Sequence, residues 1–199
     1  MQNKVCYSSF YELSESKMEI VKSAIPDVLT IMPKVFKDDR GFFLEIFNSQ
    51  TLCSFGIDYE FVQDNLSSSR MGVLRGLHYQ IQYPQGKLVT VLRGEVFDVA
   101  VDLRRSSPYF GKHVSCRLSE NEHKFLWIPP GFAHGFLVLS EKAEFFYKVT
   151  NYYHPTSERT LLWNDENLGI DWPIEPAMEL VLSRKDQEGI PLNLAEVYL

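Results

Sequence analysis

Gly94-Glu95-Val96-Phe97-Asp98-Val99-Ala100-Val101-Asp102-Leu103 places Phe97, Val99, Val101 and Leu103 on one face of an extended chain and Asp98, Ala100 and Asp102 on the other. A period of two marks a β-strand, because successive side chains leave an extended backbone on opposite sides. The pattern predicts one face packed on a core and one polar face. Just before it, Arg93-Gly94-Glu95 interrupts the run Leu88 to Leu103 and reads as a hairpin corner, where Gly relieves the backbone constraint. Similar short runs recur on either side: Val28 to Phe36, Phe42 to Phe47, Phe61 to Leu66, Val73 to Gln80, His113 to Leu118, Phe125 to Pro129, Gly135 to Leu139 and Phe145 to Thr150. Many short strands separated by turn residues predict an all-β sandwich or barrel. Gln50 to Gly56 reads as one or two helical turns ended by Gly56. Beyond Asn164 the pattern loosens at Gly169, Pro173 and Pro176, which predicts a C-terminal wrap around the β-core with a short helix.

The chain has 199 residues, of which 45% are hydrophobic and 14% aromatic, enough for a single core over 18–199. Residues 1–17 mix Ser, Glu, Lys and Tyr without periodicity and read as a flexible extension, with a docked oligomer arm as the alternative. A net charge of -6 argues against a nucleic-acid partner, which calls for a basic stripe, yet leaves room for a basic pocket around one phosphorylated ligand. Three widely spaced cysteines, Cys6, Cys53 and Cys116, fit neither a disulfide framework nor a zinc site. They are expected to be free thiols in a reducing cytoplasm. No run approaches the roughly 18 to 20 apolar residues that span a bilayer, and no secretory leader pattern is visible, so no membrane association is expected.

Chemistry concentrates in three stretches. Val73-Leu74-Arg75-Gly76-Leu77-His78-Tyr79-Gln80, with Gly86-Lys87-Leu88-Val89, places a guanidinium, an imidazole and an ammonium on adjacent strands, which suits an anionic ligand and a proton-removing reaction. By period two, Leu74, Gly76, His78 and Gln80 share a face, so Arg75 faces away unless a bulge at Gly76 re-aims it. Alone, a strand histidine such as His78 reads more readily as a hydrogen-bonded core residue than as a catalyst; its neighbours change that. In Trp127-Ile128-Pro129-Pro130-Gly131-Phe132-Ala133-His134-Gly135-Phe136, a tight turn leads into His134. Its P-x-G-x-x-H spacing resembles the second motif of cupins, but the His-x-His pair of metal-binding cupins is here His78-Tyr79-Gln80. His78 and His134 supply two ligands where a stable site needs about three, so no metal is expected; Asp98 or Asp102 could complete a set only by facing the same cavity, and otherwise they read as surface or supporting residues. In Ala143 to Thr150, Phe145, Tyr147 and Val149 alternate with Phe146 and Lys148, and Tyr147 becomes a proton-donor candidate only as a partner for His78.

Taken with Asp39-Arg40-Gly41-Phe42-Phe43, Gln63-Asp64-Asn65, Trp163-Asn164-Asp165 and Leu182-Ser183-Arg184-Lys185-Asp186, these blocks closely resemble the dTDP-4-dehydrorhamnose 3,5-epimerase family from about Ile25 to Asp186. The resemblance implies a cupin jelly roll, or double-stranded β-helix, with short peripheral helices. It also implies a cytoplasmic homodimer that shares its active sites and serves dTDP-rhamnose biosynthesis. Carried over by position, His78 matches the base, Asp186 the carboxylate that orients it, Tyr147 the acid, and Lys87 the lysine beside the sugar carbonyl. Arg75 and His134 match groups that contact the sugar or diphosphate. Arg40, Glu45, Gln63, Asn65, Glu158 and Lys185 match further ligand-contacting positions, some supplied by the partner subunit.

The implied reaction inverts C3 and C5 of dTDP-4-dehydro-6-deoxy-D-glucose. A C4 ketone acidifies both neighbouring C–H bonds through an enolate, so no redox cofactor is needed. The alternatives are a mono-epimerase acting at C3 or C5 alone on a related nucleotide 4-keto sugar, and a non-enzymatic cupin that binds a nucleotide sugar.

Overall fold

The computed structural model describes residues 18–199; residues 1–17, and with them the expectation of a flexible extension, lie outside the described part. Two antiparallel sheets form the body. The six-stranded sheet contains β1 (Met18–Lys22), β2 (Leu29–Pro33), β5 (Gln63–Arg70), β7 (Lys87–Arg93), β10 (Phe125–Ile128) and β12 (Lys142–Val149), in the order β1-β2-β10-β7-β12-β5. The five-stranded sheet contains β6 (Leu74–Gln80), β8 (Glu95–Asp102), β9 (His113–Ser119), β11 (Phe132–Val138) and β13 (Glu158–Thr160), in the order β13-β6-β11-β8-β9. From β5 to β8, and again from β9 to β13, the chain changes sheet at each step. That is the winding of a double-stranded β-helix, as expected. A separate hairpin pairs β3 (Phe36–Asp38) with β4 (Gly41–Phe43), and the helical pieces are α1 (Ser49–Ser54), a 3-10 turn at Pro155–Ser157 and α2 (Arg184–Gln187).

The strand 95–102 forms as its alternation predicts, but its two faces are not apolar-core and polar-solvent. Val99, Val101 and Leu103 pack against the C-terminal segment, together with Leu161, Leu168 and Trp172. The opposite face, with Val96 and Ala100, lies between the sheets in one cluster with Phe136 and Phe145. Asp98 and Asp102 are therefore fully buried, each at 0% exposure. Asp102 is satisfied by Arg104 and Ser107, which donate to its carboxylate at 2.6 to 2.9 Å. The face of Val99, Val101 and Leu103 is covered because the C-terminal wrap closes over it, tied by bridges Val73–Val181, Leu161–Ile190 and Arg104–Tyr198.

Gly94 is likewise a corner of a different kind. The strands it joins, β7 and β8, lie in different sheets, so it carries the chain across the sandwich instead of closing a hairpin. Its φ of +80° and a Cβ position 2.1 Å from the Lys142 carbonyl oxygen exclude any side chain there. In the run Phe42 to Phe47 only the first two residues are extended. The predicted helical turns form one residue early as α1, because Asn48 caps it by accepting from the Gln50 and Thr51 amides, and Gly56 follows its end with φ +83°. Cys116 is a free thiol, but Cys53 is disulfide-bonded, against the expectation for it.

Candidate active site

The inward faces of the two sheets meet over an aromatic floor in which Phe145 stacks on Phe136, with centroids 4.1 Å apart, and on His134 at 5.9 Å. Around this floor the strand registers gather the polar groups. On β11, His134 pairs with His78 and Phe136 pairs with Arg75, so two steps on β11 match three on β6. One extra residue is thus bulged at Gly76-Leu77, and Arg75 and His78 share the face of His134 and Phe136. The bulge needs glycine. Gly76 has φ +120°, and a Cβ there would stand 2.5 Å from the Gly135 Cα and 2.8 Å from the His134 carbonyl oxygen. The simple alternation that pointed Arg75 away is broken at this point.

His78 is half-buried, and its Nε2 lies 2.6 Å from Asp186 Oδ1. The same oxygen accepts the Gly76 amide at 3.2 Å, and Oδ2 accepts the Ser183 hydroxyl at 2.6 Å. Burial alone raises the Asp186 pKa, but the hydrogen bonds from His78 and Ser183, the charge interaction with His78 and the Gly76 amide outweigh it and hold the carboxyl down at about 2. An ionised Asp186 fixes the proton of neutral His78 on Nε2, which leaves the lone pair on Nδ1. That nitrogen can accept a proton.

Lys87, at the start of β7, is buried and donates to the His78 carbonyl oxygen at 3.4 Å. Burial pushes its pKa down to about 8, opposed by the charges of Asp98 and Glu158 and aided by Lys185. His134 is also buried, with Nε2 2.9 Å from Asp98 Oδ2. Burial lowers its pKa while Asp98 works against that, so the ring is neutral near pH 7. Asp98 Oδ1 has no hydrogen-bond partner among the described residues. Each imidazole is thus engaged by its own carboxylate, and among the described residues no three His, Cys, Asp or Glu side chains gather as a metal-ligand set.

On the facing sheet, Tyr147 lies on β12 between Asn65 on β5 and Val89 on β7. Burial raises its phenol above the ordinary pKa, with the Arg75 charge opposing and Glu158 adding, so the hydroxyl keeps its proton at neutral pH. Gln63 Nε2 donates to Asn65 Oδ1 at 2.8 Å along the same strand. Arg75 is steadied by Ser69, whose hydroxyl accepts from Nε and Nη2 at 3.2 and 3.1 Å. At the open edge, Glu158 on β13 accepts from Lys185 at 2.7 Å and from the Tyr153 hydroxyl at 2.8 Å. Burial raises the Glu158 pKa, but these donors and the nearby charges bring it below the usual carboxylate value.

Two of the expected residues stand apart. Arg40 sits in the β3–β4 hairpin, 90% exposed, and its ion pair at 2.5 Å is with Asp38. Glu45 follows that hairpin, and its Oε1 is buried with no hydrogen-bond partner among the described residues. Conversely, Ser69, Tyr153 and Ser183 hold groups of the site and carried no clear signal in sequence. Asp98, read there as a surface or supporting residue, supports His134 because the polar face of its strand is the interior of the sandwich.

The chain matches the dTDP-4-dehydrorhamnose 3,5-epimerase family over residues 22–193. It is 57% identical over 180 residues to a dTDP-4-dehydrorhamnose 3,5-epimerase of Salmonella typhimurium, covering 89% of this chain and 97% of that one. Among solved structures, a dTDP-6-deoxy-D-glucose-3,5-epimerase from Legionella pneumophila, in complex with dTDP-4-keto-L-rhamnose, superposes with a TM-score of 0.87 at 51% identity, covering 90% of this chain and 95% of that one. A 3'-monoepimerase from Streptomyces bikiniensis, in complex with dTDP-quinovose, superposes with a TM-score of 0.80 at 30% identity, covering 86% and 87%. The chain is an epimerase and belongs to the dTDP-4-dehydrorhamnose 3,5-epimerase family.

Proposed function

We propose that this enzyme converts dTDP-4-dehydro-6-deoxy-D-glucose into dTDP-4-dehydro-L-rhamnose by inverting C3 and then C5, with no cofactor. The observation that carries this reading is His78 on one sheet, paired at 2.6 Å with Asp186 from α2, opposite a protonated Tyr147 on the other sheet. In the glucose-configured ring the hydrogens on C3 and C5 project from the same face. One base can therefore serve both carbons. His78 removes the proton through Nδ1 while Asp186 stabilises the imidazolium that forms. The electron pair moves into the C4 carbonyl as an enolate, which the Lys87 ammonium stabilises. Tyr147 then delivers a proton to the opposite face of the carbon, which inverts it; before the second carbon reacts, His78 gives its proton to solvent and Tyr147 takes one from solvent.

Arg75, His134, Lys185, Glu158, Gln63 and Asn65 are assigned to holding the sugar and the diphosphate, a basic pocket in an acidic chain. Arg40 and Glu45 complete the site of a second copy in a homodimer. Support for this comes from the hairpin that carries Arg40, where Phe42 and Phe43 are 58% and 69% exposed, an apolar surface of the kind a partner covers. The enzyme is assigned to the cytoplasm, and no helix of the described residues is long and apolar enough to cross a membrane.

The Streptomyces bikiniensis 3'-monoepimerase has the same scaffold, which keeps single inversion as the competing reading. The test is turnover of dTDP-4-dehydro-6-deoxy-D-glucose by wild type, His78→Ala and Tyr147→Phe. The proposal expects no turnover from the first variant and impaired reprotonation in the second. Retained activity in His78→Ala removes it as the base, and unchanged product from Tyr147→Phe reduces that residue to packing.

A further inference from the structure

Asp186 reaches His78 from 108 residues away, on a helix of four residues that lies outside both sheets. Nothing in the strand ladders fixes the rotation of its carboxylate. Its own hydrogen bonds must do so. Oδ1 takes two donors, His78 Nε2 at 2.6 Å and the Gly76 amide at 3.2 Å. Among the described residues Oδ2 takes one, the hydroxyl of Ser183, at 2.6 Å. Ser183 is also the N-cap of α2, and its Oγ accepts the Asp186 amide at 3.2 Å. Because that amide occupies a lone pair of Oγ, the hydroxyl proton is free to point at Oδ2. One hydroxyl thus ties both the backbone and the side chain of the same aspartate. In an ordinary capping box the acidic residue reaches back to the N-cap amide; here its carboxylate is held by the N-cap side chain and turned toward the histidine.

We propose that Ser183 is a positioning residue for catalysis: its hydroxyl locks the Asp186 carboxylate in the rotation that presents Oδ1 to His78, and so sets the His78 proton on Nε2 and its lone pair on Nδ1. The inference rests on the reading of His78 as the base. With Ser183 removed, Oδ2 loses its protein donor, the carboxylate can turn and share His78 between its oxygens, and the imidazole loses its fixed aim at the sugar carbon. Binding of the nucleotide does not depend on this. Lys185, the neighbour on α2, reaches Glu158 by its own ion pair at 2.7 Å.

Three substitutions separate the two jobs of the hydroxyl. Ser183→Ala loses both the cap and the donor. Ser183→Asp keeps an N-cap acceptor but has no proton to give and sets a second negative charge beside Asp186. Ser183→Thr keeps both. Steady-state kinetics on dTDP-4-dehydro-6-deoxy-D-glucose, dTDP binding and thermal melting are measured for each, with His78→Ala as the reference. The expected result is a kcat lowered roughly ten- to hundredfold in the Ala and Asp variants, the range for losing a hydrogen bond to a charged group, with KM and dTDP affinity near wild type and with Thr restoring kcat. The proposal is overturned if Ser183→Ala keeps its kcat, if Ser183→Asp rescues as well as Thr, or if the loss appears in KM and dTDP affinity. Turnover by His78→Ala would overturn the base assignment itself, a different result from an inactive His78→Ala beside a fully active Ser183→Ala.

Discussion

Lys87 offers a test of the electrostatics, because the same burial that makes its charge useful makes it labile. Its pKa is lowered from 10.5 to about 8. In the free enzyme about nine-tenths of the molecules carry the ammonium at pH 7 and about one-tenth at pH 9, so kcat/KM should fall close to tenfold between them. Tyr147 does not titrate in this window, since its own pKa is raised above 10. The linkage has a definite sign. Between about pH 8 and 10.5 the folded chain binds fewer protons at Lys87 than the unfolded chain, so the burial penalty is fully present below pH 8 and is relieved as pH rises through that interval. The fall from 10.5 to about 8 corresponds to about 3 kcal/mol. Lys87→Met, which keeps the length of the stem and removes the charge, should therefore unfold later in urea at pH 7 by up to about 3 kcal/mol. It should also lose roughly two to three orders of magnitude in kcat, as expected for removing an enolate-stabilising group. A kcat/KM that stays flat to pH 9.5, together with a Lys87→Met variant less stable than wild type, would refute the reasoning.

Two further outcomes follow from packing. Gly76→Ala puts a methyl against the Gly135 backbone in a φ of +120°, and should cost about 3 kcal/mol or more of stability and displace both Arg75 and His78; chemical unfolding and turnover check it. Asp102→Ala leaves the half-buried Arg104 guanidinium with, among the described residues, its Asp27 ion pair alone, and should cost about 3 to 5 kcal/mol in urea unfolding; a change within experimental error would show that the network holds nothing.

The sequence was most informative where periodicity and burial point the same way. The strand at 95–102 is visible as alternation, yet which face meets the interior depends on the C-terminal wrap, a partner distant in sequence and weakly patterned. For that reason the sequence leaves Asp98 and Asp102 as surface or supporting residues, and the fold buries both, Asp98 in support of His134. Glu158–Thr160 is too short to announce itself as a strand, and is extended because it pairs with the edge at Tyr79. The aim of Arg75 turns on one bulged residue, which alternation can suggest but not place. The contact between His78 and Asp186 spans most of the chain, so only the family resemblance connects them in sequence. Arg40 is the opposite case. The resemblance puts it in a ligand site, while within one chain it lies on an exposed hairpin and pairs with Asp38.

The central claim is that one histidine, on one face of the sugar, removes protons from two carbons. Turnover of dTDP-4-dehydro-6-deoxy-D-glucose in heavy water, with deuterium located by NMR and mass spectrometry, tests it most directly. The account predicts deuterium at both C3 and C5 of a product inverted at both, and loss of both labels together in His78→Ala. Label at one carbon alone, or label at either carbon that survives in His78→Ala, would contradict it.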